Sequence, residues 1–568
     1  MTKNLFKNLC VAVCMLLISA TAFAQPKHEV RAVWLTTNSA MDWPKSSKEP
    51  YQKKQLNQIL DKLESAHFNT IILQVQVKGD VLWDSKIQPA MADFTKDGSK
   101  KMSWDACNYV IEECHKRNME CHAWIVPYRI GSASEAARYD NNEVVKHVYK
   151  LHPELCVEHA GDQYLDPGLP EVRKYLLDLY RELITNYAFD GTSFDYTRYP
   201  ANNFNDAASY AKYGKGMKKD DWRRQNINTF VHEFYDMAKK IRPEMKVGAA
   251  PIGTYKNAPG YHNMEAYSAV FQDAAEWMQA GKHDLLVPQL YWNEKYGFSK
   301  QMQVWVDNCK KRQLVAGLAT YKMFDTSNRW DQSVILDQIE KTRKNPGFSG
   351  VSFFHTVNIT GIEKKSKDLL AALKDNYFKY PAHIPSMDYN GVTKQHAPEN
   401  VMWGKHGNEY TLTWDAAITT FEKSPVKYYC VYASTTPNVD VTDIKNCVGF
   451  AVKGTEFKYT SAEKLNFAVT AFDTNYYESD AAKAQETAGI DGVEVLDETE
   501  IISSGSEILV KGDELQSVQV YDIAGKMVRS INADSCEVSV AADDLVNGVY
   551  IVKVINSDNQ ISVHKIMR

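Results

Sequence analysis

At 568 residues the chain is too long for one ordinary core, and a prior of roughly 150 residues per domain points to one large unit with smaller ones. Its 66 basic and 71 acidic residues give a formal charge of −5, which argues against nucleic acid as a partner, since phosphate binding needs a concentrated positive surface. The 32 Tyr and 12 Trp supply flat faces that suit sugar rings as well as they suit a core.

In chain order, Lys3 and Lys7 precede an apolar run from Leu9 to Ala20, and Ala22-Phe23-Ala24 stands before Gln25. This is the charged region, apolar region and small-residue cleavage site of a secretory signal, so residues 1–24 are expected to leave. The remaining 64 basic and 71 acidic residues carry a charge of about −7. No later stretch approaches the ~20 apolar residues of a spanning helix, and no Cys stands at the cleavage point to take a lipid. A secreted, periplasmic or cell-surface protein without a membrane span is expected. Of ten cysteines, Cys10 and Cys14 go with the signal. Cys107, Cys114 and Cys121 beside His115 and His122 invite a zinc reading, but ordinary zinc-site spacing is missing; they read as buried thiols, and neither metal nor cofactor is expected.

From residue 29 to 356 short apolar runs alternate with helical periods. The runs are Val30 to Thr36, Thr70 to Val77, Glu120 to Pro127, Gly191 to Tyr196, Lys246 to Ile252, Leu285 to Trp292, Leu314 to Thr320 and Gly350 to His355. Helical stripes include Leu56, Ile59, Leu60 and Leu63; then Tyr175, Leu176, Leu179, Leu183 and Ile184; then Ile227, Phe230, Val231, Phe234, Ala238 and Ile241. Eight near-continuous apolar strands predict a closed parallel (β/α)8 TIM barrel over 25–380, and no G-x-G-x-x-G follows the first strand to favour a dinucleotide fold. Beyond a Pro- and Asn-punctuated linker, alternating runs over 395–490 predict a small all-β sandwich. Its Trp414 and Tyr429-Val431-Tyr432 pattern resembles fibronectin type III domains. After an acidic second linker, residues 503–568 with "VQVYDIAGKMV" and "LVNGVYIVKV" resemble the C-terminal sorting domains of Bacteroidetes-type secretion, implying contact with secretion machinery or the cell surface.

Reactive groups of such barrels sit at the carboxyl ends of the strands. Those ends offer Trp34, Gln74, Asp80, Trp124, Tyr128, Arg129, Asp195, Tyr196, Arg198, Gln289, Tyr291, Trp292, Glu294, Tyr321 and His355, an aromatic, amide and acidic set suited to sugars. Glycoside cleavage needs one carboxyl that donates a proton and one that is ionised. Asp195 is the candidate for the ionised partner, with Arg198 to hold its charge; the bland alternative is a loop-fixing ion pair. Glu294, near Trp292, is the candidate acid, and the alternative is a solvated loop glutamate. Asp80 and Asp84 are fallback acids. Asp190 and Asp166 read as structural, and a lone strand-end histidine such as His355 is more often a satisfied structural group.

The segments "EVRAVWLTT", "NTIILQVQVKGDVLWDS", "AWIVPYR", "FDGTSFDYTRYP" and "DLLVPQLYW" together resemble the bacterial glycosyl-hydrolase-like family 10 across roughly residues 28–370. The resemblance implies hydrolysis of an oligo- or polysaccharide, with peptidoglycan-type strands the leading candidate. Two positions depart from the family pattern: Gln76-Val77-Lys78 where an arginine is common, and Tyr196 where a second acid often follows the strand-four aspartate. The competing expectation is a surface glycan-binding protein that keeps the aromatic cleft without the chemistry.

Overall fold

The computed structural model describes residues 25–96, 98, 101–309, 312–361, 367–387, 394–418, 424–486, 499–504, 506–523, 525–558 and 560–567. The expected signal segment 1–24 and parts of both expected linkers lie outside the described residues.

Eight parallel strands close into a barrel: β1 (Val30–Leu35), β2 (Thr70–Val77), β3 (Glu120–Ile125), β4 (Gly191–Phe194), β5 (Lys246–Ala249), β6 (Leu285–Leu286), β7 in two pieces (Gln313–Leu314 and Ala316–Leu318) and β8 (Gly350–Phe353). Neighbours run in sequence order, and β1 closes the ring against β8 through Val30 to Val33 opposite Gly350 to Phe353. The first piece of β7 pairs with β6 and the second with β8, so no edge is left open. Gly350, at φ 150°, belongs at this seam because a Cβ there would stand 2.1 Å from the Val30 carbonyl oxygen.

Each strand is followed by a helix: α1 (Glu49–Glu64), α2 (Ala106–Lys116), α3 (Pro170–Asn186), α4 (Lys219–Ile241), α5 (Ala274–Gln279), α6 (Phe298–Asn308), α7 (Gln332–Arg343) and α8 (Lys367–Ala372). The apolar spacing explains their seating. In α3 the buried face is Val172, Leu176, Leu179, Tyr180, Leu183 and Ile184, and in α4 it includes Ile227, Phe230, Val231 and Phe234. Tyr175 and Ile241, assigned to the same stripes from spacing, are only partly buried. Between these helices and β4, Phe194 meets Phe234 edge-on at 4.7 Å. Cys107, Cys114 and Cys121 are buried free thiols.

The chain forms two compact units. The first holds the barrel and most of a β region built as two four-stranded sheets. Trp414 on one sheet packs against Tyr429 on the other at 5.4 Å, and Tyr410 against Phe467 at 5.0 Å, so the two sheets share an aromatic filling. The second unit comprises Met402–Gly404 and Gln485–Arg568. Its five strands bury Ile508, Val510, Leu515, Val518, Val520, Val552 and Val554, the inward members of alternating runs. Among the described residues no helix is long and apolar enough to cross a membrane.

Candidate active site

At the carboxyl ends of the strands lies a cleft of about 400 Å³, within the usual range for a ligand site. β1 delivers Trp34, whose indole meets Trp124 of β3 edge-on at 4.9 Å. Past β1 the chain is pinned by Gln74, whose Oε1 accepts from the Thr36 hydroxyl at 2.7 Å and from the Thr37 and Asn38 amides at 3.1 and 2.9 Å. Gln74 therefore builds the rim as well as lining it. A trio of rings continues from the Trp34–Trp124 pair: Phe354 lies 6.1 Å from Trp124, Tyr291 lies 5.8 Å from Tyr321 and 6.1 Å from Phe354, and Tyr321 lies 6.0 Å from Phe354.

Asp195 stands one residue past β4, its amide bonded to the Ile125 carbonyl at 2.9 Å, and it is 7% exposed. Its Oδ1 accepts from the Tyr196 amide at 2.8 Å and from Gln289 Nε2 at 3.0 Å. Gln289 also donates to the Ala250 carbonyl at 3.1 Å and thereby ties the carboxyl to the end of β5. The chain reaches this geometry through Gly253, where a Cβ would stand 2.1 Å from the Gln289 carbonyl oxygen. Burial pushes the Asp195 carboxyl up to about 6, and Arg198, the Tyr196 amide and Gln289 hold back only part of that rise. No salt bridge reaches Asp195 among the described residues, although the sequence suggested one to Arg198.

Of the residues singled out from sequence, Trp34, Gln74, Trp124, Arg129, Asp195, Tyr196, Gln289, Tyr291 and Tyr321 line this cleft together. The others are placed elsewhere. Glu294 is half exposed on the turn Glu294–Tyr296, ion-paired to Lys341 at 3.1 Å and bonded to the Ser299 hydroxyl at 2.8 Å. Partial burial pushes its carboxyl up, but Ser299 and Lys341 more than offset this and hold it below the usual range, the reverse of what a proton donor needs. Nearness to Trp292 in sequence misled, because that ring packs over Gly253 instead. Tyr128 is core, 5.8 Å from Phe230. Arg198 lies behind the Tyr196 ring, 4.6 Å from its centre. His355 is bound at 2.6 Å to Asp42, which also accepts the Thr36 and Val357 amides, a brace across the β1–β8 seam. Asp80 is buried against the Tyr139 hydroxyl, and burial pushes it up to about 7, but it does not line the cleft. Asp84 is exposed and pairs with Lys101 at 3.2 Å. Thr36, Asn38, Met41, Val77, Val126 and Phe354 also line the cleft and were not singled out. Most stand within a few residues of a strand end, the position that would have found them.

Asp195 is thus the one carboxyl lining the cleft among the described residues. Two acids outside the lining hold residues that do line it: Asp162 holds Arg129 through its Nε at 2.8 Å and Nη2 at 2.7 Å, and Asp42 accepts the Thr36 amide at 2.9 Å. Among the described residues no group of three or more His, Cys, Asp or Glu is placed to hold a metal ion.

Comparison with known proteins agrees with this architecture. A glycosyl hydrolase YngK of Bacillus subtilis is 29% identical over 428 residues, covering 71% of this chain and 82% of that protein. A glycosyl hydrolase DigH of Escherichia coli is 30% identical over 333 residues, covering 53% of this chain and 76% of that protein. The C-terminal residues 502–568 match the secretion system C-terminal sorting domain. Residues 29–334, the span that carries seven of the eight barrel strands and the cleft aspartate, match the family described as glycosyl hydrolase-like 10, and the chain belongs to that family.

Proposed function

We propose that this chain is a secreted glycoside hydrolase that cuts O-glycosidic bonds of peptidoglycan-type strands or a related polysaccharide, with Asp195 as the reacting carboxyl. The observation that carries the reading is Asp195 itself, buried beneath Trp and Tyr rings and pushed up to about 6. A carboxyl poised there keeps its proton at mildly acid pH and can pass it to a leaving oxygen. In the proposed step that proton moves to the glycosidic oxygen and the bond from C1 to that oxygen breaks. Water adds to C1, and its proton returns to the Asp195 carboxylate. Asp195 then takes the acid role first assigned to Glu294. The nucleophilic role of the second carboxylate falls to a 2-acetamido oxygen of the sugar, which bonds to C1 as the leaving oxygen departs and is displaced by the water that gives its proton to Asp195, the substrate-assisted course open to peptidoglycan-type strands. In this reading residues 25–380 form the catalytic unit, 395–490 a fibronectin type III-like spacer, and 503–568 the unit that meets the secretion machinery.

A second reading, a glycan-binding surface protein without chemistry, is favoured by one observation: no second carboxyl lines the cleft among the described residues, and Tyr196 occupies the position where the family pattern often has another acid. The two separate in one experiment. The mature chain is incubated with a glycan panel that includes peptide-free peptidoglycan strands, and products are read by mass spectrometry. New reducing ends that vanish with Asp195→Asn support the hydrolase. Saturable binding without products supports the second reading, and hydrolysis unchanged in Asp195→Asn removes Asp195 from the mechanism.

A further inference from the structure

We propose that the two-sheet β region is the floor of the barrel, docked so that the two fold and unfold as one cooperative body and the barrel residues 25–380 are incomplete alone. The inference goes beyond the spacer role given to that region above, and it does not depend on the chemistry of the cleft.

The docking surface lies at the end of the strands where the chain enters, and three parts of the barrel sequence build it. Ahead of β1, the Lys27 ammonium reaches into the β region. It donates to the two carboxylate oxygens of Glu478 at 2.7 and 2.6 Å and to the Val441 carbonyl at 2.6 Å, and it stands 4.9 Å from the centre of the Tyr432 ring. The Lys27 and Glu478 side chains are only 10% and 17% exposed, which sets this pair apart from solvent-screened surface pairs that contribute little.

After α8, residues 381–387 serve both bodies. Their backbone belongs to the barrel: Asn69 donates to the Ala382 carbonyl at 3.2 Å, Gln313 to the Ser386 carbonyl at 2.9 Å, and His383 exchanges backbone bonds with Lys27 and Glu29 at 2.8 and 2.9 Å. Two of their side chains belong to the β region. The His383 ring stacks 4.1 Å from Phe472 and 4.7 Å from Phe450, and Ile384 completes the apolar cluster of Tyr428, Cys430, Tyr432 and Phe472.

Beneath the strands themselves, Tyr476 covers the charged floor. Its ring centre lies 5.0 Å from the Lys246 ammonium of β5, which holds Glu120 of β3, and its hydroxyl accepts from Lys427 at 2.6 Å. Tyr476 sits at φ 64°, a conformation that costs a bulky residue and persists where its surroundings over-determine it. Asp473 fixes that turn by accepting the Asn475 and Tyr477 amides at 2.9 and 2.8 Å.

Few contacts cross the boundary of a freely tethered domain. Here the first residues of the barrel, the last, and the floor between β3 and β5 are all engaged, and the buried His383 and Ile384 fill a core that the β region cannot fill from its own strands. Removing either body opens apolar surface on the other, so local opening of one is coupled to opening of both.

The test uses the mature full-length chain, equilibrated in graded urea, pulse-labelled by hydrogen exchange and read peptide by peptide by mass spectrometry. The expected result is one common urea midpoint for loss of protection in β2, in β8 and in the β-region strands Val426–Ser434 and Asn466–Asp473. Loss of protection in the β-region strands at lower urea, with β2 and β8 still protected, overturns the proposal. Glu478→Gln and Tyr476→Leu, both in the β region, should lower the midpoints of β2 and β8 by as much as those of the β-region strands. A fall confined to the β region overturns the proposal as well. Should either variant fail to fold, the midpoints of the unaltered chain decide.

Discussion

The two ends of the barrel bury carboxyl groups equally well and treat them in opposite ways. At the end of the strands where the chain enters, Glu120 of β3 lies within 2.8 Å of Lys246 on β5 and 2.9 Å of His122, and Glu29 is gripped by Arg31 at 2.9 Å and Arg343 at 2.7 Å. Burial alone would push both glutamates up, yet these partners outweigh it and hold them below the usual range. At the other end Asp195 has amide hydrogen-bond partners and the charge of Arg198 nearby but no ion pair at contact distance, and burial wins. The lesson is that burial does not mark a reactive group. The better mark is a carboxyl that opens on a cleft and whose burial outweighs its compensating partners, because its charged form is then under-compensated for lost solvation.

The widest gap expected from that contrast is in catalysis. Asp195→Asn should cut glycan hydrolysis by about 10³-fold, the scale of lost general acid catalysis, with the fold retained as read by circular dichroism. Lys246→Met probes the other end. Stranding Glu120 beside His122 should cost about 3–5 kcal/mol in denaturant unfolding, while residual activity per folded molecule stays within a few-fold.

A smaller effect separates the ends by pH. Because its folded-state pKa is raised, Asp195 binds its proton more tightly in the folded chain; its contribution is present at low pH and is lost as pH climbs through about 6. Melting of Asp195→Asn should therefore gain on the unaltered chain between pH 4 and 7. Glu120, held low, contributes at neutral pH and loses that contribution on acidification below the ordinary glutamate range, so the penalty of Glu120→Gln should shrink as pH falls. Smallest of all, Glu294→Gln should change activity less than about twofold and stability by no more than about 0.5 kcal/mol. Its pair with Lys341 is solvent-screened.

The barrel was legible because its signals are local. Eight apolar runs separated by helical stripes stand in the sequence as they stand in space, and β2 falls on its expected bounds, Thr70–Val77. Strand ends were overextended where the chain turns into the cleft. The run expected from Leu285 to Trp292 pairs as a ladder only at Leu285–Leu286, since Pro288 cannot donate; beyond it Gln289 keeps single bridges to Ile252 and Gly317 while its side chain holds Asp195. Asp195 itself was legible as a charged residue closing an apolar run. Three of the misplaced residues share one cause: a partner remote in sequence. His355 meets Asp42 across 313 positions, Glu294 meets Lys341 across 47, and Asp80 meets Tyr139 across 59. No spacing rule reaches those contacts, and each removes a side chain from the cleft.

The central claim, that burial raises the Asp195 carboxyl despite its partners, can be met directly without a substrate. Carbon-13 NMR of the aspartate carboxyls, recorded from pH 3 to 9 on the unaltered chain and on Asp195→Asn, isolates one resonance by difference. An inflection near pH 6 for that resonance is the expected result, and one at or below the ordinary aspartate value of about 4 would contradict the account.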